Sequence, residues 1–166
     1  MNYLFCCIFI VLGVISRIIP HAPNFTPILS IALLSGFYIK NRYIVILPIL
    51  AMLFSDIIIG NHGLVVWVYS SLIFIFILGS FALKDSTIDI ITKSMLSSFI
   101  FFVLTNFGVW FTGGYSYNYN GLLLCYTMAL PFFKNTIIST TLFSLAIFGI
   151  YRLINIYVLK IRKISV

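Results

Sequence analysis

Long apolar runs, separated by short polar punctuation, constrain this chain more than any other feature. Runs of that length suit a hydrocarbon surrounding, where a helix satisfies its own backbone hydrogen bonds. Read by their length and bounding residues, they predict helices over 3–17, 26–40, 43–60, 64–83, 94–112 and 136–158. Charged residues make up 8% of the 166 positions, against about 25% in a soluble domain. The expected fold class is therefore an all-α membrane protein with six transmembrane helices, one integral domain over 1–166. Six spans of about 20 residues use nearly the whole chain and leave no room for a soluble catalytic domain.

The apolar stretch from Tyr3 to Ser16 lacks a basic leader and the small-x-small residues of a cleavage site before Arg17, so it is expected to stay as a helix. Cys6, Cys7 and Cys125 form no C-x-x-C and no zinc spacing. Basic residues set the orientation, because short cytoplasmic loops collect Lys and Arg. With both termini cytoplasmic, the inner side holds Lys40, Arg42, Lys84, Lys93, Arg152, Lys160, Arg162 and Lys163, and only Arg17 and Lys134 fall outside. The net charge of +7 is thus a topology signal and calls for no nucleic acid. Counting 121–133 as a seventh span would turn Lys84 and Lys93 outward, so 113–135 is expected to be an outer loop carrying a short re-entrant or interfacial helix, interrupted near its end by Pro131. The location that follows is multi-pass in a membrane with a cytoplasmic face.

This orientation puts the unusual polar residues on the outer side. They are Arg17, His21 and Asn24 in RIIPHAPNFTP, Asp56, Asn61 and His62 in SDIIIGNHG, Asn106 and Trp110 in TNFGVW, and Tyr115, Tyr117, Asn118, Tyr119 and Asn120 in GGYSYNYNG. Asp56 lies inside an apolar run, where an ionisable group needs a partner or a cavity. Arg17 is that partner, either in an ion pair joining the first helix to the third or beside a ligand. Asn106 and Trp110 are four residues apart and share a helix face, facing a wet pocket or, for Trp110, an interfacial belt. The proline-rich segment 20–27 is a stiff pocket wall or a locked connection. The tyrosine-rich loop, flanked by Gly113, Gly114 and Gly121, is a lid or an interfacial belt. Two histidines without spaced partners predict no metal, and no cofactor motif is present. The chain has no P-loop, G-x-S-x-G or H-E-x-x-H, so it is read as a non-enzyme that hydrolyses no nucleotide by itself.

The run Arg17-Ile-Ile-Pro20-His21-Ala-Pro23-Asn24-Phe25-Thr26-Pro27-Ile28, with Ser55-Asp56, Thr105-Asn106-Phe107, Trp110, Gly121 to Tyr126 and Ala129 to Thr136, resembles an uncharacterised family of small bacterial integral membrane proteins. That family looks like the substrate-binding S components of energy-coupling-factor (ECF) vitamin transporters. The resemblance implies capture of a small vitamin-like solute in an outward-facing pocket, and partnership with a transmembrane T component and two ATPase subunits. It marks Tyr126 and Asn135 as further site residues, and Cys125 as a packing residue or a soft ligand. The Ala-x-x-x-Ala docking face common on the first helix of S components is missing here. Its nearest equivalent is Ala32 with Gly36. On this reading Arg17 meets an anionic or carbonyl group, Asn24 and Asn106 orient polar edges, and Trp110 with the loop tyrosines stacks a ring. A solitary proton-coupled carrier or channel titrating Asp56 is the alternative, and an intramembrane enzyme acting on a lipid through Arg17, His21 and Asp56 a more distant one.

Overall fold

The computed structural model describes residues 3–38, 46–60, 63–82 and 84–164, with side chains for all of these except 3–7, 82 and 157–164. Lys40, Arg42, Asn61 and His62 lie outside the described residues, as do the side chains of Cys6, Cys7, Lys160, Arg162 and Lys163. Six helices and no strands occur among the described residues: α1 Tyr3–Ile18, α2 Ile28–Tyr38, α3 Ile46–Ile59, α4 Val65–Ala82, α5 Thr87–Phe111 and α6 Tyr119–Ile164.

Their ends follow local chemistry. Pro20, Pro23 and Pro27 keep the chain non-helical after α1, and Pro27 supplies the carbonyl that receives the first helical bond of α2, from Ile31 N–H at 2.8 Å. Pro48 is tolerated in the first turn of α3, where its missing N–H is not needed. α5 stops in a Schellman motif: Gly113 N–H donates to Trp110 O and Gly114 N–H to Val109 O, with Gly113 at φ 87°.

The stretch expected to be a loop with a re-entrant or interfacial helix is instead the start of α6, a continuous helix of 46 residues. Asn118 caps it, its Oδ1 accepting from Gly121 N–H at 2.7 Å. Pro131 sits inside the helix without ending it, because neighbouring helices can compensate the lost backbone bond in such a setting. α5 likewise begins at Thr87 rather than 94, so Lys93 stands on the helix and not in the loop before it.

α2 is the axis around which the others pack, with contacts to each of the remaining helices. It is apolar or small on every face, and all nine residues from Ile28 to Gly36 are buried. Small residues bring α2 and α4 backbone to backbone: a Cβ added at Gly36 would run into Phe76 O, and one at Gly79 into the Leu33 carbonyl. Ala32 and Gly36, expected as a docking face for a partner, are both buried, and Gly36 makes its close approach within the chain. Leu33, Leu34, Leu72, Ile75 and Ile90 fill the centre.

Between α5 and α6 the seam carries hydroxyls. Ser98 Oγ donates to Thr136 O at 3.3 Å, and Ser30 Oγ of α2 donates to Thr140 O at 2.8 Å. Ser94, Ser97, Thr140 and Ser144 are fully buried there, and among the described residues their hydroxyls have no hydrogen-bond partner.

Outward-facing positions are apolar all round the bundle, among them Ile57, Val66, Phe81, Ile88 and Leu153. Two helical segments, Thr87–Phe111 and Tyr119–Ile156, are long and apolar enough to cross a membrane. α1 to α3, of 16, 11 and 14 residues, fall short of the roughly 20 that a span needs. α4, with 18, comes close.

Candidate functional site

The C-terminal ends of α1, α3 and α5 meet the N-terminal ends of α2 and α4 and the first third of α6 around a cavity of about 420 Å³. This volume lies at the lower end of the roughly 300–1,000 Å³ of small-molecule sites. Every helix, and the proline-rich segment, gives it wall. Arg17 comes from α1, His21, Asn24 and Thr26 from the segment, and Ile28 and Leu29 from the start of α2. Met52 and Ile59 come from α3, Val68 from α4, Phe101 to Val109 from one face of α5, and Ala129, Phe132, Phe133 and Thr136 from α6.

Arg17 is held on its α3 side. Its Nη1 donates to Asp56 Oδ1 at 2.6 Å, to Ser55 Oγ at 2.5 Å and to Met52 O at 3.2 Å. Asp56 also accepts from the Tyr69 hydroxyl of α4 at 2.9 Å. The pair is largely buried, with side chains 16% and 7% exposed, so it clamps α1 to α3 while leaving Arg17 in the cavity wall. Asp56 itself stands behind Arg17 and is not among the wall residues.

The proline-rich segment is fixed by α6. Asn135 Nδ2 donates to Pro23 O and Ser139 Oγ to Asn24 O, each at 3.2 Å. Asn24 between these anchors adopts φ 61°, a left-handed conformation that Asn accepts more readily than most residues. Asn135 therefore shapes the site from outside, through the backbone it grips. His21 faces the cavity with Nδ1 2.6 Å from Ile19 O.

On α5, Asn106 Nδ2 donates to Phe102 O at 2.7 Å, turning the amide along the helix at the cavity edge. Phe102 stacks on Phe133 across the α5–α6 junction, ring centroids 4.5 Å apart. Tyr126 backs this pair, edge-on to Phe102 at 5.5 Å with its hydroxyl donating to Val103 O, and Cys125 is buried against Asn106 O. Tyr126 thus supports the wall without belonging to it.

The expected lid does not reach the site. Trp110 Nε1 donates to Ser116 O and the Tyr117 hydroxyl to Phe111 O, both at 3.0 Å, and the two rings meet edge to face. These bonds fold the loop back on the end of α5. Trp110, Tyr115 and Tyr117 are absent from the cavity wall. Of the residues expected from sequence, Arg17, His21, Asn24 and Asn106 are brought together. Ser55, Tyr69, Ser139 and the four phenylalanines at 101, 102, 132 and 133 were not foreseen; Ser55 beside Asp56 was their clearest signal.

Among the described residues no three His, Cys, Asp or Glu side chains converge as a metal site would need. What the arrangement offers is a mostly apolar hollow with a cation and an amide on its rim, a geometry for holding a small molecule. No curated protein matches the chain. No solved structure matches it either. The match that is found spans residues 1–162, and by it the chain belongs to a family of unknown function, DUF6580.

Proposed function

We propose that this protein captures a small, vitamin-like solute from outside a bacterial inner membrane for uptake, in the manner of an ECF S component, with six spans and both termini cytoplasmic. The observation that carries the reading is the cavity itself: about 420 Å³, mostly apolar, with Arg17, Asn24 and Asn106 in its wall. A few polar groups converging in an apolar hollow are the usual form of a small-molecule site. The apolar outer surface supports a bilayer setting. The short helices α1 to α4 would be accommodated by flanking residues and local thinning of the bilayer. A T component with two ATPase subunits would supply the energy, docking on an outer face, since Gly36 is taken up by α4 and Ala32 is fully buried.

Native mass spectrometry of the tagged protein, extracted gently from its own membranes, tests this. A bound small molecule together with ATPase subunits is the expected result. A bound molecule without partners, plus pH-dependent uptake by the protein alone in liposomes, would favour the solitary carrier. A bare protein, where control proteins keep their lipids, that also takes up no added ligand would refute capture.

A further inference from the structure

The cavity wall is chemically one-sided. Among the described residues, Arg17 stands in it as the single fixed cation and no carboxylate lines it. All the hydrogen bonds that hold Arg17 in place leave from one nitrogen, Nη1, toward α3. The remaining guanidinium donors are not spent on those partners, so the fork keeps capacity for a planar acidic group. The start of α2 adds to the same sign, because the amides of Ile28, Leu29 and Ser30 come before the first helical donor, Ile31 N–H, and two of these residues form wall.

The wall supplied by α5 and α6 is aromatic and rigid. Phe102 and Phe133 are stacked on each other and Phe102 is braced by Tyr126, whose hydroxyl is itself bonded to the α5 backbone. Rings fixed in this way present flat area at little cost in side-chain freedom. Asn106 stands beside them with Nδ2 bonded to Phe102 O, leaving its amide oxygen to accept from a ligand.

We infer that the ligand is a small conjugated-ring acid, its carboxylate-like group on Arg17, its ring along Phe102 and Phe133, and a polar ring edge toward Asn106. This rests on the capture reading and narrows it to a substrate class.

The test uses the full chain purified gently from its native membranes. Whatever it holds is released by denaturation and identified by mass spectrometry in both ion polarities, with its ultraviolet absorption. The expected compound has one acidic group and a conjugated ring, and its yield falls about tenfold in Arg17→Gln and in Asn106→Leu. Phe133→Leu, which leaves the ion pair untouched, lowers it too and keeps the test valid if Arg17→Gln does not fold. A released cation or saturated chain would overturn the inference and leave capture standing. If nothing is released, the protein is titrated with naphthalene-2-carboxylate and with naphthalen-2-ylmethylamine. Binding of the carboxylate alone, weakened by Asn106→Leu, supports the inference; equal or amine-selective binding overturns it. Binding of neither overturns both the inference and the capture reading.

Discussion

Replacing Asp56 by Ala strips the Arg17 guanidinium of its charged partner at 2.6 Å while leaving it 16% exposed. Removing one member of a buried pair costs about 3–5 kcal/mol, because the survivor stays out of water uncompensated. Arg17 keeps Ser55 Oγ and Met52 O, which places Asp56→Ala at the lower end, about 3 kcal/mol. The Tyr69 hydroxyl loses its acceptor as well, adding about 1 kcal/mol. Arg17→Met makes the complementary cut, leaving Asp56 bonded to Tyr69. The double variant Arg17→Met/Asp56→Leu removes both charges and fills their space with apolar atoms, and is expected within about 1 kcal/mol of the parent. Stability is read from reversible unfolding in mixed micelles of a mild detergent with dodecyl sulfate, followed by tryptophan fluorescence. The expected pattern is two poor singles, a recovered double, and a coupling of at least about 3 kcal/mol. Singles costing less than about 1 kcal/mol would mean that the pair behaves as a solvated one, and a double no better than either single would refute the clamp. The double should fold yet hold no ligand, which separates the two duties of Arg17.

Gly79→Val drives a side chain into the Leu33 carbonyl and should cost more than the usual 1–3 kcal/mol or so of overpacking, because backbone cannot step aside; thermal stability in detergent checks it. Ser97→Ala and Ser144→Ala remove buried hydroxyls that lack partners among the described residues, so each should leave stability unchanged or raise it by up to about 1 kcal/mol. A clear loss in either would show that the hydroxyl is bonded after all. In a background without the three native cysteines, Tyr117→Cys should react with a membrane-impermeant maleimide on intact cells and Asp85→Cys only after permeabilisation; the reverse pattern would invert the proposed topology.

Arg17, His21, Asn24 and Asn106 were legible because a polar residue in a chain this apolar needs a reason to be there. Phe102 and Phe133 were not, since they sit among 17 phenylalanines and nothing local tells a cavity wall from a lipid-facing one. Trp110 and Tyr117 drew the eye through composition, yet the geometry that ends α5 uses their polar atoms within the loop. The start of α6 was hidden by Pro131 and by the charge argument that kept Lys84 and Lys93 inside by counting 121–133 as no span of its own. Asn118 caps the helix, and Asn135 finds Pro23 O, a contact made across 112 positions of sequence. Ala32 and Gly36 were read as a docking face because small residues at that spacing invite close approach; that α4 of the same chain comes up against Gly36 depends on long-range packing the sequence does not spell out.

α6 runs unbroken from the cavity to the opposite end of the bundle. Phe133 in the wall and Ile164 at the last turn are separated by about 46 Å at ~1.5 Å per residue. Part-way along, Arg152 bonds Asp85 O ahead of α5 and stands over the Phe148 ring. Such a rod works as a lever: a tilt of about 5° pivoting near Phe133 displaces the far end by about 4 Å. Asn135 and Ser139 also grip the proline-rich segment, so one continuous helix joins that segment, the phenylalanine wall and the opposite end of the bundle.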